Sequence, residues 1–293
     1  MNYTIKNEYY TATVSDVGAE LISLKAAGST ELLWQSTSEK FWSKHSPLLF
    51  PVCGRLKDKK YSYQGKEYDM TPHGFIGREA FEVCEITNSK ITLSARANSE
   101  TLACYPFDFE FTVCYELDGN SVKCAVTVKN NDAKVMPYMF GWHPGFALIT
   151  DGGQDIENYS IDFGNTEKAT WIPLQNGPFA RPYGEDYVLD GGKYILNERE
   201  IYKNDTLIFT DVPTRVKLSA DGYPYCAEME WSDNLPYLCI WKEPDNAAKF
   251  ICLEPWTGTP GDGEQDECFD DRAMERLEPG QSVIYTYTFK FTL

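Results

Sequence analysis

Histidine is scarce in this chain: three in 293 residues, at positions 45, 73 and 143. They show no H-E-x-x-H spacing, so the case for a zinc site is weak and none is expected. The nine cysteines stand no closer than the ten-residue steps between Cys104, Cys114 and Cys124. That excludes C-x-x-C metal or redox chemistry and leaves them as buried, reduced thiols. Also missing are a G-x-x-x-x-G-K-[ST] loop, a strand-borne G-x-G-x-x-G and a G-x-S-x-G elbow, so no nucleotide cofactor or hydrolase nucleophile is expected. Basic residues are outnumbered, 27 Lys and Arg against 44 Asp and Glu, for a formal charge of −17. Nucleic acid and anionic membranes require a basic face and are poor partners for such a chain. The N-terminus has no apolar leader and no segment approaches the roughly 18 apolar residues of a membrane span, which makes the cytoplasm the expected location.

What the chain does have is aromatic residues, 14% of the total with nineteen tyrosines. Flat side chains pack well on pleated surfaces. Phe107, Phe109, Phe111, Val113, Tyr115 and Leu117 alternate with polar or small residues, the period of a strand with one buried face. Asp118-Gly119-Asn120 then turns the chain into Val122, Cys124, Val126 and Val128, a second strand of the same hairpin. The period returns in Val283, Tyr285, Tyr287, Phe289 and Phe291. Further short strands are expected at 21–25, 61–68, 81–87, 90–96, 206–210, 215–219, 227–231, 237–241 and 249–254, separated by Gly, Pro, Asn and Asp. The expectation is an all-β protein, a large antiparallel β-sandwich with few helices, in a single domain over 1–293. Residues 147–204 look like long loops with short strands among them, and 262–276 like a charged surface segment with room for a helical turn.

Two histidines lie in short loops rich in Pro, Gly and aromatics: Thr71-Pro72-His73-Gly74-Phe75 and Gly141-Trp142-His143-Pro144-Gly145-Phe146. A histidine titrates near neutrality, and a carboxylate can act as its opposite number across a polar substrate. Glu254, at the end of the apolar run Phe250-Ile251-Cys252-Leu253, is such a carboxylate. Burial there is costly unless the group is used or paired, and it would raise the pKa toward that of a neutral-pH base. A structural acid and a packed histidine are the plainer alternatives at both sites, and His45 reads as structural. Arg55, after a glycine, could fork onto sugar hydroxyls or form a surface ion pair. Asp205 could accept hydroxyls or cap a turn. Trp142, Trp241 and Trp256 offer stacking faces, although tryptophan is more often core. Proton transfer on a carbohydrate fits these residues; a non-catalytic sugar-binding module and a glycosidase pairing Glu254 with Asp205 are the competing readings.

Taken together, His45-Ser46-Pro47-Leu48-Leu49-Phe50-Pro51 with Gly54-Arg55-Leu56-Lys57, Pro72-His73-Gly74-Phe75, Gly141-Trp142-His143-Pro144-Gly145-Phe146 and Leu253-Glu254-Pro255-Trp256 resemble the aldose 1-epimerases, or galactose mutarotases, in their LacX-like branch. The resemblance runs nearly end to end. It implies the galactose mutarotase-like supersandwich, with a sugar on its concave face, and interconversion of α and β anomers without a cofactor or metal. Glu254 would be the general base at the O1 hydroxyl and His143 the general acid at the ring oxygen. His73 and Arg55 would bind and polarise substrate oxygens, with Asp205 as a weaker carry-over. The family's substrate-binding aspartate precedes a histidine, whereas Asp205 precedes Thr206, so the usual sugar is not carried over. A small-molecule sugar is the implied partner, and a monomer or homodimer the expected state.

Overall fold

The computed structural model describes residues 1–28, 30–149, 156–196 and 206–293. Two large antiparallel sheets dominate it. The nine-stranded sheet runs, edge to edge, Lys193–Ile195, Tyr159–Asp162, Arg215–Ala220, Cys226–Trp231, Ser282–Thr292, Ser121–Asn130, Phe109–Asp118, Lys90–Arg96, Glu82–Ile86. Beside its central strand, Ser282–Thr292, lies the hairpin expected from alternation, with Ser121 opposite Asp118 and Val126 opposite Val113. The C-terminal strand closes against it through Val126 and Tyr285. One face of these strands is buried at every second residue, Phe109, Phe111, Val113, Tyr115 and Leu117 among them, so hydrophobic burial itself fixes the register.

The eight-stranded sheet carries Glu185–Val188, Lys168–Ile172, Thr206–Thr210, Tyr237–Trp241, Phe250–Trp256, Gly141–Trp142 and Leu48–Leu49 in that order, and Gly145–Ala147 also pairs with Phe250–Trp256. Every residue of Phe250–Trp256 is buried, because the strand is covered on both faces. Leu253 and Ile251 point into the main core, whereas Phe250, Cys252 and Trp256 belong to two smaller apolar clusters on the opposite face. Glu254 shares that second face by the strand's two-residue period. This sheet therefore presents one side to the core and the other to a concave surface.

Two expectations change. The strand does not stop before Pro255 but continues through it, with Leu238 opposite Pro255 and Tyr237 opposite Trp256. Leu253 N–H points toward the neighbouring Pro144 carbonyl, so two residues on the missing N–H of Pro255 falls on the same side. In the register that sets Gly141 against Trp256 and Gly145 against Cys252, Pro255 stands opposite Trp142 and has no N–H to offer that strand. The 262–276 segment, for its part, holds no helical turn; most of its charged residues are exposed as expected, but Phe269 is buried and Arg272 and Glu267 form a buried ion pair. That one pair turns inward from a segment whose other charges face solvent.

Candidate active site

The eight-stranded sheet places His143. Gly141 and Trp142 pair with Leu49 and Leu48, Gly141 also faces Trp256 and Gly145 faces Cys252, and the unbroken register between them sets His143 opposite Glu254. His143 N–H donates to the Pro47 carbonyl (3.0 Å) and Gly145 N–H to the His45 carbonyl (2.8 Å). The His45–Pro47 segment is in turn held by the buried Glu20 carboxylate, whose Oε1 accepts the backbone N–H of His45 (2.7 Å) and Ser46 (3.2 Å). His45 thus fixes the loop and stays out of the cavity. Gly141 is required as glycine, because a Cβ would lie 2.4 Å from Trp256 Cδ1.

A cavity of about 290 Å³ opens on the concave surface, lined by Arg55, His73, His143, Glu254, Trp256, Trp42 and Trp241, with Cys239, Thr206 and Pro260 among the rest. That volume is at the lower end of small-molecule sites. His143 Nε2 is 3.3 Å from Glu254 Oε1, with both side chains buried. The His143 ring lies 4.7 Å from the Trp42 ring, tilted by 31°, with Trp241 edge-on at 5.5 Å. Three buried polar atoms here have no hydrogen-bond partner: Glu254 Oε2, His143 Nδ1 and Trp256 Nε1. Buried polar groups are nearly always satisfied, so three orphans at one cavity mark a surface built for polar ligand atoms.

The electrostatics follow from burial. It pushes the Glu254 carboxyl well above the usual carboxylate range, against a smaller downward pull from the Trp256 indole and the Cys239 thiol. Burial, aided by nearby His73, holds His143 well below the ordinary imidazole value. His73 is lowered to about 4 by burial and by the Arg55 guanidinium. It is therefore neutral at pH 7, and its tautomer is set: Gly54 N–H donates to Nδ1 (3.2 Å), which leaves the proton on Nε2 as a donor. Arg55 is exposed at the cavity rim.

Of the residues singled out from sequence, Glu254, His143, His73, Arg55, Trp256 and Trp241 all meet at this cavity. Trp142 does not. It is fully buried in the core, 4.1 Å from the Tyr287 ring and 4.7 Å from that of Phe140, and it cannot stack on a ligand. The reason is parity: neighbours on an extended chain point to opposite sides, so His143 facing the cavity sends Trp142 inward. Asp205 lies outside the described residues. Trp42 was not anticipated, being a hundred residues from His143 in sequence with no motif of its own. The same is true of Arg272, which donates to the Thr259 carbonyl (2.8 Å) and pairs with Glu267 behind the wall residue Pro260. Burial lowers its pKa to about 10. The strand period also brings Cys252 beside the pair: one ligand atom each from His143, Cys252 and Glu254 lie within 4.8 Å of one another.

The family described as Aldose 1-epimerase matches residues 1–266. The chain belongs to the aldose 1-epimerase family. Within it, the plasmid-borne protein LacX of Lactococcus lactis is 30% identical over 285 residues, 93% of each chain. A galactose mutarotase related enzyme from Lactobacillus acidophilus superposes with a TM-score of 0.91 at 30% identity, covering 99% of this chain and 97% of its own. A galactose mutarotase-like protein from Lactobacillus casei gives 0.91 at 26% identity, covering 99% and 100%. The sandwich is thus the fold of the family's galactose mutarotase-like members. No helix among the described residues is long and apolar enough to cross a membrane.

Proposed function

We propose that the protein is an aldose 1-epimerase that interconverts the α and β anomers of a free aldose at this cavity. The observation that carries the reading is the buried His143–Glu254 pair at 3.3 Å, whose two pKa values are displaced in opposite directions. A carboxylate with a raised pKa is a stronger base, and an imidazolium with a lowered pKa a stronger acid. The reactive form is the ion pair of Glu254 carboxylate and His143 imidazolium; burial disfavours it, and its collapse moves a proton from His143 to the ring oxygen while Glu254 takes the O1 proton. The C1–O5 bond breaks to give the open-chain aldehyde, C1–C2 rotates, and reclosure reverses both transfers. In each state the pair holds one proton and no net charge, which suits two buried side chains. The neutral His73 would donate from Nε2 and Arg55 from its guanidinium to sugar oxygens, and Trp256, Trp42 and Trp241 would supply apolar walls.

A glycosidase needs two carboxyls across the scissile bond. Among the described lining residues Glu254 is the one carboxylate, and a histidine stands against it. The direct experiment is polarimetry of freshly dissolved α-anomers of hexoses, pentoses and their 6-phosphates. Acceleration with at least one sugar supports the reading; calorimetric binding without acceleration supports a sugar-binding module instead.

The pH dependence is a sharper test. The working state carries one proton on the pair, lost at low pH when His143 gains a second and at high pH when Glu254 gives up the first. The expected kcat/KM profile is a bell whose acid limb lies below about 6.5, the ordinary histidine value, and whose alkaline limb lies well above about 4.3, that of an exposed glutamate. A single rising limb near the ordinary glutamate value would rule out a shared proton.

A further inference from the structure

We propose that His143, Cys252 and Glu254 also form a binding site for one divalent cation of the zinc and cadmium class, and that the cation and the sugar exclude each other. Imidazole, thiol and carboxyl are the donor set such ions take, and the soft sulfur favours them over magnesium or calcium. The spacing agrees. Around a tetrahedral ion with bonds of about 2.0–2.2 Å to nitrogen and oxygen, those two ligands stand roughly 3.4 Å apart. His143 Nε2 and Glu254 Oε1 are 3.3 Å apart. The Cys252 sulfur completes a trio contained within 4.8 Å, somewhat wider than a tetrahedral edge, so the thiol closes onto the ion by side-chain rotation.

A second observation points to a ligand independently. Glu254 Oε2 is buried without a hydrogen-bond partner, so the carboxyl has an oxygen to offer a cation besides the one facing His143. Cys239 adds another sulfur, its Sγ 3.9 Å from Glu254 Oε1 on the adjacent strand. On binding, the cation replaces the Cys252 thiol proton and the proton held between His143 and Glu254, and both leave to solvent. The two groups proposed to move protons are then metal ligands, and neither can serve the sugar.

Binding is read without reference to activity. Metal-free protein, kept reduced with a phosphine, is titrated with Cd²⁺ while the ultraviolet thiolate-to-cadmium charge-transfer absorption is followed. Wild type is expected to saturate at one equivalent, and Cys84→Ala, which removes an exposed thiol, to behave identically. Cys252→Ala should lose the band. Glu254→Gln keeps every thiol and should bind at least the roughly 10- to 100-fold more weakly that loss of an outer-shell partner already causes. Thermal melts establish that both variants are folded. No saturable band in wild type, an undiminished band in Cys252→Ala, or unchanged affinity in Glu254→Gln would each overturn the site. The exclusion of sugar rests on the epimerase reading and has its own arm: if wild type is active, Cd²⁺ should abolish the rate with the midpoint of the absorption titration, and full activity in the saturated protein overturns it. If wild type is inactive, that reading fails while the absorption arms still decide the metal site.

Discussion

Glu254→Gln is expected to lower the mutarotation rate by about 10²- to 10⁴-fold, the usual contribution of a positioned general base, while leaving the protein folded. The amide has the carboxyl's shape but cannot accept the O1 proton, so the ring-opening step loses its base and little else. Stability should move the other way. Burial raises the folded-state pKa of Glu254, so its contribution to stability is greatest below the unfolded value of about 4.3 and is lost as pH rises through the folded value. Glutamine has no such dependence. The melting temperature of the variant relative to wild type should therefore increase from about pH 5 to about pH 9, even as activity is lost. Wild-type rotation rates in Glu254→Gln would remove Glu254 from the chemistry, and a melting difference that shrank toward alkaline pH would contradict the assigned direction of its shift.

Much of this architecture is legible in the residues because the nine-stranded sheet is buried on one face only. Phe109 to Leu117 and Val283 to Phe291 spell out a two-residue period that no helix reproduces, and the Gly119 turn pairs the first of them with Ser121–Asn130. The eight-stranded sheet is harder to read. Phe250–Trp256 is buried throughout, so hydropathy marks the strand without saying which residues face the core and which the cavity. Glu254 breaks that symmetry, and once it is set inward, Cys252 and Trp256 follow by parity. The same parity removes Trp142, which motif membership alone had drawn toward the sugar. Trp42 and the Arg272–Glu267 pair were beyond reach for a different reason. Each owes its place to packing between segments distant in sequence, and a buried ion pair has the same composition as a solvated one.

Gly74→Ala is expected to destabilise the fold by about 3–5 kcal/mol, near the upper end for one added methyl, and to take the site with it. Gly74 has φ of +73°, and an added Cβ would sit 2.0 Å from the Phe50 carbonyl oxygen and 2.6 Å from Pro51 N. These are backbone atoms, so no side chain can swing aside. The Phe50 carbonyl is already committed, accepting from Phe75 N–H (2.9 Å) and Ile76 N–H (3.3 Å). Relief therefore means moving the turn that holds His73, itself left-handed at φ +62° and tied to Gly54 through both its backbone N–H and its ring. Gly119→Ala separates the two contributions. Its φ is +54° with nothing within 4 Å of the new methyl, so it bears only the left-handed penalty of about 1–2 kcal/mol. With melting temperature falling roughly 2–4 °C per kcal/mol in chains of about this size, Gly74→Ala should melt several degrees below Gly119→Ala. Indistinguishable melting of the two would mean that the close approach of Gly74 to Phe50 does not hold the loop that presents His73.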